Sequence, residues 1–195
     1  MKLSINGVVT YYSQERITKF NVMSAGGPDI ISARVKFACV IDGGGGNNQI
    51  AAGDGNDTIT TGSGRDSIFG MAGNDQIRSG NGNDYIDAGP GEAIIYAGSG
   101  NDRVIGGTRK SRIYGGSGDD DLYGAGNNNQ IFGEDGNDTL SSAASLECYL
   151  VGGNGDDIFD AAGDNTIDHI IGGAGNDTAK ANKIDIITEV EKTLT

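Results

Sequence analysis

The chain has 195 residues, 35 of them glycine and only two proline, and its 14 basic against 27 acidic side chains leave a net charge of −13. That length suits one domain, and glycine without a three-residue period excludes collagen. So acidic a chain argues against a nucleic-acid partner and for cations; about six or seven divalent ions would offset nearly all of the charge.

No segment is long and apolar enough to span a membrane. The first residues, MKLSINGVVTYYSQERI, lack the apolar core of a signal peptide. Asn6-Gly7 lies between KLSI and VVTYY and predicts a β-hairpin. The segments ITKFNVM and IISARVKFACVI read as further strands around the turn SAGGPD, with GGPDII a shortened form of the repeat that follows. Residues 1–42 are therefore expected to form an N-terminal cap, continuing a coil in rungs without metal and covering its open edge.

From Gly43 to Ser141 a nine-residue pattern, G-G-x-G-x-D-x-U-x with U a large aliphatic residue, repeats without a slip. Examples are AGDGNDTIT (52–60), GMAGNDQIR (70–78), AGSGNDRVI (97–105) and GEDGNDTLS (133–141). Such a period decides the architecture before any other signal. Glycine lets the backbone enter turns that a Cβ forbids. The aspartate and the carbonyls freed by the turn are the hard oxygen donors that Ca²⁺ prefers. The triplet x-U-x is a short strand with its middle side chain inward. The inward column is Ile50, Ile59, Ile68, Ile77, Ile86, Ile95, Val104, Ile113, Leu122, Ile131 and Leu140. No single repeat could bury such a core alone.

The pattern resembles the repeats-in-toxin (RTX) family of secreted bacterial proteins. The resemblance covers residues 43–141 clearly, with degraded repeats at GGNGDDIFD (152–160) and GGAGNDTAK (172–180). It implies an all-β fold, a right-handed parallel β-roll over residues 43–180 with two nonads per turn. Each Ca²⁺ would be shared between loops one full turn apart. Residues 181–195, with KIDIITEVEKTL, would close the last rung. The resemblance also implies secretion from, or display on the surface of, a bacterium, and TEVEKTLT is compatible with export by an uncleaved C-terminal signal.

Successive nonads alternate sides, so the loops fall into two rows. The first row places Asn48, Asp66, Asp84, Asp102, Asp120, Asp138, Asp157 and Asp177 at the ligand position. The second has Asp57 and Asp75, then Ala93, Ser111, Asn129 and Cys148, with Asp168 last. The expected metal ligands are Asn48, Asp57, Asp66, Asp75, Asp84, Asp102, Asp120, Asp138, Asp157 and Asp177. Backbone carbonyls are expected to join them, such as those of Gly62, Gly64, Gly80, Gly82, Gly98, Gly100, Gly116, Gly118, Gly136, Gly155 and Gly175. Calcium should occupy the rows unequally, in about six to nine sites.

Where the second row loses ligands, its strands gain outward apolar residues: Tyr96, Tyr114, Phe132, Val151 and Ile171, with Tyr149 beside them. That strip is either sheet stabilisation or an interaction face for a second copy or for another domain of a parent protein. Cys39 and Cys148 sit in apolar strand contexts and are expected to be buried free thiols, and His169 an outward strand residue. No nucleophile, base and orienting group fall together, so no enzyme is expected. The predicted function is an extracellular calcium-binding module that folds on metal binding. A carbohydrate-binding accessory module, like those of alginate epimerases, is the second reading. An ice-binding protein is the third, weakened by having only scattered outward threonines (Thr58, Thr60, Thr139).

Overall fold

The computed structural model describes residues 2–6, 8–11, 19–142, 147–162, 166–182 and 185–194. Among these there is no helix. Twenty-two short strands form two sheets, of 12 and 10 strands, and the chain alternates between them in a β-solenoid of about nine turns. Within each sheet, strands eighteen residues apart pair in parallel, so that Ile68 stands opposite Ile50 and Ile86, and Ile77 opposite Ile59 and Ile95. The expected β-roll is the observed fold.

Alternation along each triplet follows from strand geometry. In Thr58–Thr60 only Ile59 is buried, and in Ser67–Phe69 only Ile68. The whole predicted inward column, Ile50 to Leu140, is buried. Each such side chain contributes about 1.5–3 kcal/mol by leaving water, and the two columns meet in one thin core between the sheets.

Past Leu140 the spacing of paired residues lengthens, with Phe159 opposite Leu140 and Ala179 opposite Phe159. In this nonad the ring of Phe159 is fully buried while Ile158 is 53% exposed. Strand parity, rather than aliphatic character, decides which one enters. The small Ala179 on the next rung leaves room for the ring, as a close-packed interior requires.

The N-terminal segment departs from a simple continuation of the coil. Phe20–Met23 and Ile30–Arg34 pair in parallel with Cys39–Asp42 and Gln49–Ala51 and extend it backwards. Lys2–Ile5 and Val8–Tyr11 instead pair antiparallel as a hairpin, with Ile5 opposite Val8, and Lys2–Ile5 lies antiparallel to Ile30–Arg34. The hairpin covers the edge of the first sheet. At the other end Lys192–Leu194 and Ile186–Thr188 pair in parallel onto the two sheets.

Candidate metal-binding turns

Between strands the chain turns through glycines held at positive φ, such as Gly82 (133°) and Gly100 (119°). A Cβ on Gly82 would run into Gly64 O, and one on Gly100 into Gly82 O. Only glycine allows turns to stack this closely. Met71 and Glu134 replace the second glycine of their nonads and still adopt φ of 71° and 81°, conformations uncommon for residues with a Cβ.

The ligand-position residues of the first row form one continuous side-chain ladder. The backbone N–H of Asn48 donates to Asp66 Oδ1 at 2.7 Å, Asp66 to Asp84, Asp84 to Asp102, and Asp102 to Asp120, all at 2.7 Å. Asp120, Asp138 and Asp157 donate to Asp138, Asp157 and Asp177 at 2.8 Å, and Asp177 N–H ends the ladder on Glu191 Oε2 at 2.6 Å. In the second row Cys39 N–H donates to Asp57 Oδ1 at 2.6 Å, and Asp57 N–H to Asp75 Oδ1 at 2.9 Å. There the ladder breaks. Ala93 offers no acceptor, and Asp75 N–H turns to Glu92 O at 2.9 Å. It resumes with Ser111 N–H to Asn129 Oδ1 at 3.0 Å, Cys148 N–H to Asp168 Oδ1 at 2.8 Å and Asp168 N–H to Asp185 Oδ1 at 3.1 Å.

Each ladder bond occupies one carboxylate oxygen. The other, Oδ2, is buried without a hydrogen-bond partner in nine aspartates: Asp66, Asp84, Asp102, Asp120, Asp138, Asp157 and Asp177 of the first row, and Asp57 and Asp75 of the second. Several of these oxygens face the first glycine of their own turn, and a Cβ on Gly70 would stand 2.6 Å from Asp75 Oδ2. Burial raises the carboxyl pKa values of Asp57, Asp75, Asp84, Asp102, Asp120, Asp138, Asp157 and Asp177. Asp75, Asp102, Asp120 and Asp157 are pushed up to about 7, and Asp57 and Asp138 to about 6. The N–H bond each accepts works the other way and is outweighed, while adjacent carboxylates add to the rise. Asp84 and Asp177 are raised for the same first reason, burial.

The backbone supplies the other oxygens. The carbonyls of Gly64, Gly82, Gly100, Gly118, Gly136, Gly155 and Gly175 accept no hydrogen bond among the described residues. Gly62 O, by contrast, accepts Asn81 N–H at 2.8 Å. Gly80, Gly98 and Gly116 lie in register inside the strands Asp75–Asn81, Ala93–Ser99 and Ser111–Ser117. Among the described residues no three His, Cys, Asp or Glu side chains converge. The donor set is one carboxylate oxygen per turn plus carbonyls. Unpartnered buried oxygens and turns that admit no Cβ fit a hard cation that takes oxygen ligands.

The family model of the RTX calcium-binding nonapeptide repeat, four copies, matches residues 40–68, 60–95, 79–108, 96–131, 114–144 and 162–182. The chain belongs to the RTX repeat family. No curated protein matches it significantly. RTX repeats bind calcium, and RTX β-rolls are typically structural, non-catalytic modules of secreted bacterial proteins.

Sequence reasoning missed the ends of this RTX ladder. Asp29, Asp185 and Glu191 take part outside the regular spacing, and Cys39 takes part at the regular spacing but before the first recognisable nonad. It also missed a second, exposed ladder one residue earlier, where Asn47, Asn56, Asn74, Asn83, Asn101, Asp119, Asn137 and Asp156 accept the N–H one turn on. The recurring Asn-Asp dipeptide was its signal. Both cysteines are buried thiols rather than halves of a disulfide, and both occupy the ligand position of the second row. His169 is a half-buried strand residue with Nε2 3.0 Å from Glu147 Oε1.

The outward strip is continuous. The rings of Tyr96 and Tyr114 stack at 4.9 Å and 2°, those of Tyr114 and Phe132 at 5.0 Å and 10°, and Val151 and Ile171 follow in register. Tyr149 leans between Phe132 and His169, and the Arg78 guanidinium caps Tyr96 from 4.8 Å.

Proposed function

We propose that this RTX chain is an extracellular, non-enzymatic calcium-binding module whose folding is driven by the metal. The observation that carries the reading is the set of nine buried, unpartnered Oδ2 atoms. An unsatisfied buried polar group costs about 1–3 kcal/mol, and more when charged. Nine such penalties rival the whole stability of a domain, about 5–15 kcal/mol. Bound calcium supplies the missing positive charge. We assign as ligands Asp66, Asp84, Asp102, Asp120, Asp138, Asp157 and Asp177, with the free carbonyls from Gly64 to Gly175, and a shorter second set at Asp57 and Asp75. Residues 43–180 then act as the metal-dependent roll, flanked by caps at 1–42 and 181–195.

Because the ion binds only stacked turns, its binding free energy becomes folding free energy. Extracellular modules typically bind calcium at about 10⁻⁴–10⁻³ M, so such sites stay empty in a cytosol and fill outside the cell. The apolar strip from Tyr96 to Ile171 we assign to packing against a second copy or a neighbouring domain. The ring faces are spent on one another and present edges outward, which disfavours sugar stacking. Circular dichroism of the calcium-free protein at pH 7.5–8, about a unit above the raised carboxyl values, should show little β signal. Millimolar calcium should restore it cooperatively. A metal-free protein that is fully folded and equally heat-stable overturns the reading.

A further inference from the structure

Two asparagines hold the ligand position, one in each row, and they close their turns differently from aspartate. Asn48 Oδ1 accepts Asp29 N–H at 3.1 Å, and Asn129 Oδ1 accepts Ser111 N–H at 3.0 Å. This is the ladder bond that every aspartate Oδ1 makes. The amide nitrogen therefore stands where aspartate has its unpartnered Oδ2, and an amide nitrogen is a two-proton donor. Asn48 Nδ2 donates to Gly46 O at 2.9 Å and to Gly44 O at 3.4 Å, and Asn129 Nδ2 donates to Gly126 O. Gly46 is the counterpart, one turn earlier, of Gly64, whose carbonyl has no donor. Both asparagines are buried, and neither leaves a side-chain atom unsatisfied.

Adjacent turns are closed by the same means. Ser111 Oγ accepts Gly107 N–H at 2.8 Å and donates to Gly107 O at 3.4 Å. The Asp29 carboxylate, one turn before Asn48, is held by the Ser24 hydroxyl and by Asn6 Nδ2 at 2.7 Å. It is absent from the unpartnered set.

We infer that asparagine at this position is a built-in substitute for the cation: Asn48 Nδ2 reaches Gly46 O, whose counterparts along the row have no donor, and Asn129 Nδ2 reaches Gly126 O of its own turn. Resting on the calcium reading above, this fixes where the ions end. The file of the first row begins at Asp66 rather than at Asn48, and the second row is closed without metal at Ser111 and Asn129. The substitution exchanges a site that needs calcium for one that folds without it, at the cost of one ion.

The test uses Asn48→Asp, its converse Asp102→Asn, and Asp102→Ala for comparison. Bound calcium per chain is counted by equilibrium dialysis with atomic absorption, and metal-free order is read by circular dichroism and hydrogen exchange. Asn48→Asp should bind one more ion than the wild type and expose its turn to exchange when calcium is removed. Asp102→Asn should bind fewer ions than the wild type, yet be more ordered without metal than either the wild type or Asp102→Ala. Unchanged stoichiometry in Asn48→Asp overturns the inference, as does an Asp102→Asn protein no more ordered without calcium than Asp102→Ala. If the wild type itself binds no calcium, the calcium reading fails first and this inference with it.

Discussion

An aspartate with one oxygen tied to the backbone and the other buried and idle is poorly suited to carry charge, and nine aspartates are placed in that way here. For six of them the folded-state pKa, about 6 for Asp57 and Asp138 and about 7 for Asp75, Asp102, Asp120 and Asp157, lies above the ordinary value of 3.8 expected in the unfolded chain. The metal-free fold therefore binds more protons than the unfolded chain. Its stability from these groups is fully present below about pH 4 and is lost as pH rises through about 6 to 7. Acid should partly replace calcium. Calcium-free protein should show more β signal at about pH 4.5 than at about pH 8, and calcium affinity should fall as pH drops below 7, where protons compete. Equal order at both pH values without metal would exclude this linkage.

At the scale of the strand and turn, much could be read directly from the repeat. The phase of the nonad located the inward column from Ile50 to Leu140 and the two loop rows, and the structure buries the one and stacks the other. Legibility fails where the period does. Asp29, Asp185 and Glu191 join the ladders across gaps other than eighteen residues, which no periodic template registers. The antiparallel entry of Lys2–Ile5 belongs to the edge of the sheet rather than to the repeat. Which oxygen of each aspartate is left idle depends on hydrogen-bond direction, and one-letter codes do not carry it. The aromatic strip was visible as an alternation, and its stacking gives it a measurable value. Tyr114 contacts a ring on either side, and an aromatic pair is worth about 0.5–1.5 kcal/mol beyond its area. The double variant Tyr114→Ser, Phe132→Ser should lose about 2–4 kcal/mol of denaturant stability in saturating calcium. Its calcium stoichiometry should be unchanged. If the strip also packs against a second copy, sedimentation at high concentration should shift from dimer to monomer; a wild type that is monomeric throughout confines the strip to sheet stabilisation.

For the molecule as a whole, the arrangement is one-dimensional: among the described residues of the coil each strand pairs with the strands one turn before and one turn after, and ladders, sheets and core all run along one axis. Such arrays are stabilised by nearest-neighbour interfaces and can come apart stepwise. The two ends differ, since an antiparallel hairpin seals one sheet at the start while both sheets finish in parallel strands.

That end-to-end polarity has a mechanical consequence. Pulled by its two termini, the coil is loaded along its axis, across the hydrogen bonds that join one turn to the next. Those bonds open in sequence, like a zipper, rather than together in shear. Stretching a single molecule in calcium should give a train of small force steps. Each step should release one turn of eighteen residues and lengthen the chain by about 60 Å, from roughly 3.3–3.6 Å per residue less the rise of the lost rung. Peeling should begin at Lys192–Leu194 and Ile186–Thr188, which parallel pairing joins to the sheets, rather than at the hairpin of Lys2–Ile5 and Val8–Tyr11. In chelator at neutral pH the steps should give way to the smooth extension of an unfolded chain. A single cooperative rupture of the whole coil would show instead that the turns are locked to one another more tightly than neighbour contacts explain.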